Sequence, residues 1–354
     1  MWFYYLGGHG LIKKSFITDC EGPLTLNDNA FEIASNFIDN GDEFFKIVSK
    51  FDDYLVDEVK KPNYNAGDTL KLIAPFFKAY GLNNEDIVNF SQKNISLVNG
   101  AVETLKLANF QLNSYIISTS YGQYIEALCN LINFPVEYTY ATELDLDSFE
   151  IIDSEKEKLR ELKEIVLKGD FHELDKIFFD EIPKMAIGKL TDSVKTVGGE
   201  GKKLAMEQIL ENHDLDSNGV MYVGDSITDV EPLSYARENN GISVSFNGNE
   251  FSLREAEIAI ISDNTIATSL LIDLHSKFNK EYILEFIKSY SKNPERAFES
   301  FRIGFSLIDE FNQIFKDKDY PIIEIITDEN REELTKKSLK MRKSIRGYKI
   351  GSLG

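Results

Sequence analysis

The chain is short of everything that would make it a secreted, membrane-spanning or nucleic-acid-binding protein. It has two cysteines, Cys20 and Cys129, in 354 residues. That is too few for a disulfide framework and favours a reducing, cytoplasmic setting. Basic residues are outnumbered, 39 against 59 acidic, leaving a net charge of −20. Such a field repels nucleic acid and anionic membranes, and at long range it also repels a phosphorylated ligand, so a phosphate site would need local cations. No apolar run is long enough to span a bilayer. The opening "MWFYYLGGHGLIKK" is apolar but short and broken by glycine, and it lacks the cleavage pattern of a signal peptide. There is no internal repeat and no low-complexity linker. The four histidines, His9, His172, His213 and His275, are scattered and read as surface or packing residues.

With 42% hydrophobic and 28% charged residues, the composition is that of a globular protein large enough for two lobes. Short apolar runs with β-branched or aromatic residues stand at 15–18 (SFIT), 114–118 (SYIIS), 220–224 (VMYVG), 242–246 (ISVSF) and 258–262 (IAIIS). Helical stretches separate most of them, which predicts an α/β fold with a mainly parallel, Rossmann-like sheet. Residues 27–100 interrupt the alternation with apolar residues at helical spacing and are expected to form an inserted helical cap. The α/β core then comprises 1–26 and 101–275. A second insertion, about 148–195, is charged and helical and is expected to stand out as an exposed hairpin. Residues 276–354 are expected to add further helices. Their end, "NREELTKKSLKMRKSIRGYK", is basic at Lys336, Lys337, Lys340, Arg342, Lys343 and Arg346. It suits a solvated helix face, a strap onto the acidic body, or a tail that binds a protein partner.

Three of the apolar runs end in polar groups. The first ends in Asp19 and Glu21, within "TDCEGP"; alternation puts these two on one side and Cys20 on the other, toward the core. The second ends in Ser118, Thr119 and Ser120, and the third in Asp225 and Asp229. In open parallel sheets ligands bind beyond the carboxyl ends of the strands, so these groups are expected to meet. Carboxylates brought that close repel unless a cation relieves them. An oxygen-only donor set points to Mg²⁺. Lys202 and Lys203, opening an amphipathic helix after "GGEG", supply a fixed cation near a helix N-terminus, a place that favours phosphate. This is not a Walker loop, because position 203 is Lys where that motif needs Ser or Thr.

Asp19-x-Glu21, Ser118-Thr119-Ser120-Tyr121, Lys202 and Gly224-Asp225-x-x-x-Asp229 occur in the order of the four motifs of the haloacid dehalogenase (HAD) superfamily. The likeness is to its phosphoserine-phosphatase-like branch, where "STSYGQYI" resembles the second motif and "YATELDLD" the stretch after it. The chain is also similar to methanogen proteins of this family that bear the label of an energy-converting hydrogenase subunit. That label implies association rather than redox chemistry, and the sequence offers no cluster or haem ligand set. Two positions depart from the family's usual D-x-D-x-[TV]: Glu21 replaces the second Asp and Pro23 the residue two further on. Enolase-phosphatases of the family also carry D-x-E.

The resemblance implies a phosphatase acting on a small phosphorylated metabolite. Asp19 would attack phosphorus and form an aspartyl-phosphate, and Glu21 would act as acid, then base. Mg²⁺ would be held by Asp19, Asp225, Asp229 and Glu21, the last through its backbone carbonyl. Ser118, or Thr119 beside it, would bind a phosphoryl oxygen. Lys202, preferred to Lys203 by its spacing to the next motif, would neutralise charge. A non-catalytic accessory subunit and a phosphotransferase are the alternatives.

Overall fold

The computed structural model describes residues 12–351 and 353; the opening stretch up to residue 11 lies outside them. Among the described residues the sheet has seven strands. They are β1 (Ser15–Thr18), β2 (Asn113–Tyr121), β3 (Thr139–Thr142), β4 (Val220–Gly224), β5 (Ile242–Phe246), β6 (Ile258–Ile261) and β7 (Ile322–Ile325). Their spatial order is β3-β2-β1-β4-β5-β6-β7. All neighbours are parallel except β6 and β7. Helices cover both faces, which is why β1, β4 and β5 are buried along their whole length and read as unbroken apolar runs. β1 pairs with β2 through Ile17–Tyr115 and with β4 through Ile17–Tyr222. The chain thus leaves β1 toward one side and later returns on the other, and the crevice opens at that switch point.

The five runs legible in the sequence are β1, β2, β4, β5 and β6. Two strands were not anticipated. β3 is a four-residue edge strand with three half-buried positions. β7 lies in the region expected to be helical, and it closes the other edge antiparallel. That C-terminal region is also no mere appendage. Ile283, Phe286, Tyr290 and Phe311 pack in one apolar core with Ile260 and Leu270 beneath the sheet.

The helices Asn29–Phe37, Gly41–Asp53, Thr69–Ala79 and Asn84–Asn94 make up most of the first insertion. The second contributes Asp153–Val166, Phe171–Lys176 and Gly188–Ser193. It is not the exposed hairpin its charge suggested. Leu159, Leu162, Val166 and Leu174 are buried with Phe44, Phe51, Phe76 and Phe77 in a second core. Phe44 meets Phe76 at 4.8 Å between ring centroids, and Phe51 stacks on Phe178 at 6.2 Å. The two insertions therefore share one apolar core and are together termed the cap. Tyr121, at the end of β2, roots it to the sheet by donating to the Leu70 carbonyl at 2.8 Å. No described helix is long and apolar enough to cross a membrane.

Candidate active site

Immediately after β1 the backbone continues the ladder for one residue, with Asp19 N–H donating to the Val223 carbonyl at 2.8 Å. It then turns sharply: the Leu24 and Thr25 N–H groups return to the Cys20 carbonyl at 2.9 and 3.0 Å. Gly22 makes this turn possible. It sits at φ +104°, and a Cβ there would stand 2.0 Å from Asp225 Oδ2. The opening "TDCEGP" is thus a device that rolls the chain against the acidic loop after β4. Cys20 faces the other way, fully buried in the core.

Asp19 is 5% exposed. One carboxylate oxygen accepts from Cys20 N–H at 2.7 Å and the other lies 2.9 Å from Lys202 Nζ. Lys202 is completely buried and stands in helix Glu200–Asn212. Gly199 N–H, just ahead of that helix, donates to the Thr228 carbonyl at 2.9 Å and so fastens the lysine's helix to the loop after β4. Lys202 also bonds Asp229 Oδ1 at 2.7 Å. Lys203 points outward to Glu200. Asp229 is saturated by donors: Lys202 and the Tyr222 hydroxyl on Oδ1, and the Asp225 and Ser226 N–H groups on Oδ2.

These contacts set the protonation chemistry. Burial lifts the Asp19 carboxyl to about 7, against the pull of Lys202 and with a push from Asp229 and Asp225. Burial also raises Glu21 well above the usual carboxylate range, with Asp28 adding to it. For Lys202 burial alone would favour the neutral amine, but Asp19 and Asp229 outweigh it and the ammonium is firmly held. Asp229 goes the opposite way to Asp19: burial is overcome by the charge and hydrogen bond of Lys202, and its pKa falls.

Carboxylate oxygens of Asp19, Asp225 and Asp229 lie within 4.8 Å of one another. Three hard oxygen donors at that spacing suit a divalent cation. The Glu21 carboxylate does not join this set. It accepts from Asn29 N–H at 2.7 Å and so ties the turn after β1 to the first helix of the cap. The hydroxyls near the carboxyl end of β2 divide unexpectedly. Ser118 Oγ is engaged with Ser120. Thr119 Oγ1 is buried and has no hydrogen-bond partner among the described residues. Its methyl packs so closely on Gly67 of the cap that a Cβ there would come within 2.6 Å of it. Asp19, Glu21, Ser118, Thr119 and Asp225 line one cavity of about 110 Å³, roofed by Phe45, Ser49, Asp53 and Leu70 of the cap.

Two site residues went unassigned in the sequence, Arg342 and Arg346. Both belong to the C-terminal helix Arg331–Ile350, both are buried, and both reach Asp225 Oδ2, Arg346 at 3.2 Å. Their basic stretch was visible and a strap was among its readings; the two that turn inward are its two arginines, but nothing in the sequence placed the helix against Asp225. The Tyr222 hydroxyl was hidden inside an apolar strand.

A carboxylate after β1, hydroxyls near the end of β2, an acidic pair after β4 and a buried crossover lysine between them stand on a core of order β3-β2-β1-β4-β5. The chain has a Rossmann-like α/β fold with a mainly parallel sheet. No family model matches the sequence, and no curated relative matches it. Among solved structures, gene product AF1437 from Archaeoglobus fulgidus is similar over 97% of this chain and 99% of its own, at 29% identity and a TM-score of 0.77. A phosphoserine phosphatase in apo form is similar over 71% of this chain and 95% of its own, at 17% identity and a TM-score of 0.44. A HAD family hydrolase from Salmonella enterica is similar over 70% and 66%, at 12% identity and 0.46.

Proposed function

We propose that the protein is a Mg²⁺-dependent phosphomonoesterase working through an aspartyl-phosphate. The observation that carries this reading is the pairing of Asp19 with the buried Lys202 at the floor of the cavity. Without a counter-charge, burial would hold this carboxyl above the value of about 7 that it has beside Lys202 and make it a poor nucleophile at neutral pH. An adjacent fixed ammonium keeps a share of it ionised and also neutralises an incoming phosphoryl group. An Asp19 oxygen attacks phosphorus, and the bond to the leaving alcohol breaks. Glu21, whose pKa burial raises well above the usual carboxylate range, gives its proton to that alcohol. It then takes a proton from a water that attacks the phosphorus, which releases inorganic phosphate and restores the Asp19 carboxylate. Thr119, with its uncommitted hydroxyl, and Ser118 would bind phosphoryl oxygens. Asp19 and Asp225, with Asp229 behind them and the Glu21 main chain beside them, would hold Mg²⁺, which when bound offsets phosphoryl charge. The substrate is expected to be a small phosphorylated metabolite in a reducing compartment.

Hydrolysis of a panel of phosphomonoesters, with and without Mg²⁺, tests the activity. Beryllofluoride with Mg²⁺, a mimic of the phosphorylated aspartate, tests the cradle. At a hundredfold excess over its dissociation constant it should add about 2.7 kcal/mol of stability. Asp19→Asn should abolish that gain and Glu21→Gln should keep it while losing turnover. Neither hydrolysis nor stabilisation in the wild type would overturn the catalytic reading in favour of a non-catalytic accessory subunit.

A further inference from the structure

The C-terminal helix crosses from the sheet to the cap directly over the candidate metal site. Leu334 is buried among Leu253, Ala259 and Ile261. One turn on, Ser338 Oγ donates to the Gly248 carbonyl at 2.6 Å. The next two turns on the same face bring Arg342 and Arg346, as the four-residue spacing dictates. Arg346 is the anchor: Nε donates to the Leu26 carbonyl at 3.1 Å, one Nη to the Asn27 carbonyl and the other to Asp225 Oδ2 at 3.2 Å. Arg342 is less settled. It grips the same Asp225 oxygen and reaches the Leu353 carbonyl at 3.3 Å, while its buried Nε has no partner among the described residues. Beyond Arg346, Gly347 departs from helical geometry (φ 76°, ψ 161°). Past that break, Lys349 pairs with Asp42 of the cap at 3.0 Å and Ile350 packs on the cap core.

Both guanidiniums thus converge on one oxygen of Asp225, a carboxylate of the candidate cation site. A divalent ion on that oxygen would face two positive charges in a dry setting, where repulsion is strong. We infer that the C-terminal helix is an intramolecular competitor for the cation site: Arg342 and Arg346 hold Asp225 in place of a divalent ion, and metal binding and docking of this helix exclude one another. The inference rests on the proposed metal role of Asp225 and concerns its occupancy, not turnover. Because coupling is reciprocal, whatever loosens the helix should tighten metal binding by the same factor.

Calorimetric titration with Mn²⁺ alone tests this in the wild type and in Arg342→Gln/Arg346→Gln. The double variant is expected to bind at least tenfold more tightly. Removing both partners of a buried Asp225 could also unfold the protein, so Leu334→Ala serves as a second variant. It loosens the helix at its far end and leaves every site residue in place, and it too is expected to bind Mn²⁺ more tightly. Hydrogen exchange across 331–350 of the wild type should rise at least tenfold at saturating Mn²⁺. Equal affinity in wild type and folded variants, Mn²⁺ binding with no rise in exchange, or no Mn²⁺ binding by any of the three proteins would overturn the inference. Tighter metal binding without hydrolysis would leave the competition standing and count against the phosphatase reading alone.

Discussion

Lys202 lies between Asp19 and Asp229, 2.9 Å from an oxygen of one and 2.7 Å from an oxygen of the other, with no exposure of its own side chain. A buried cation shared by two buried carboxylates is a unit: removing it leaves two uncompensated charges. Lys202→Met is therefore expected to cost about 3–5 kcal/mol of unfolding free energy. Lys203→Met, one residue on but directed at Glu200 near the surface, should stay within about 0.5 kcal/mol of wild type. Urea denaturation of both variants checks this. Equal effects would mean that the lysine pair acts only through helix propensity.

The contact between Gly22 and Asp225 is equally specific. Gly22→Ala meets two obstacles, a positive φ and a Cβ 2.0 Å from Asp225 Oδ2. Gly81 has a similar φ of +86° and open space around it. Gly81→Ala should therefore show the backbone cost alone, about 1–2 kcal/mol. Gly22→Ala should exceed that clearly, because the carboxylate gripped by Arg342 and Arg346 must move. Comparing the two midpoints separates backbone strain from the clash.

The sheet and the floor of the site were legible because parallel, doubly covered strands must be apolar throughout, so the first polar residue after each run marks its carboxyl end. Asp19 and Asp225 are of that kind, while Ser118 closes its apolar run inside β2. β3 and β7 escaped because edge strands of four residues carry no such contrast. The second insertion misled through its charge. Leu159, Leu162 and Val166 keep helical spacing, but Glu and Lys residues fill the rest of their helix. Only the aromatic cap core opposite explains why that narrow face is buried. Arg342 and Arg346 are the only arginines among the six basic residues of 336–346, and a guanidinium suits a buried carboxylate better than an ammonium, but the sequence does not say that this helix docks on the site. What selects them is the phase of the helix against Leu334 and Ser338, a tertiary fact.

The hydroxyls near the end of β2 give the next test. Thr119 Oγ1 makes no hydrogen bond to the described residues, whereas Ser118 Oγ is tied to Ser120. A group that binds substrate should be uncommitted beforehand. Thr119→Val keeps the methyl against Gly67 and removes only the hydroxyl, so stability should hold or rise slightly. On the proposed reading, kcat for a phosphomonoester should fall about a hundredfold. Ser118→Ala should instead cost about 1 kcal/mol of stability and a smaller share of kcat. The reverse pattern would return the phosphoryl contact to Ser118.

Asp53 offers a test of the cap that does not depend on turnover. Its carboxyl faces the cavity, and burial, with Glu250 and Asp57 nearby, raises it to about 7. The unfolded chain releases this proton near its ordinary value of 3.8, while the folded chain keeps it until about 7. Between those limits the native state binds more protons than the unfolded one. The group's stabilising contribution is thus full below the lower limit and is lost as pH rises through the upper one. Water reaching this half-buried side chain screens the effect, which should amount to about 1–2 kcal/mol. Asp53→Asn has no proton to lose. It is expected to match wild type near pH 4 and to exceed it by that amount at pH 8, as read from urea unfolding at a series of pH values. Other raised carboxyls, Glu32 among them, keep part of the slope in the variant. A constant difference between the two proteins at every pH would show that Asp53 titrates as an ordinary surface carboxylate.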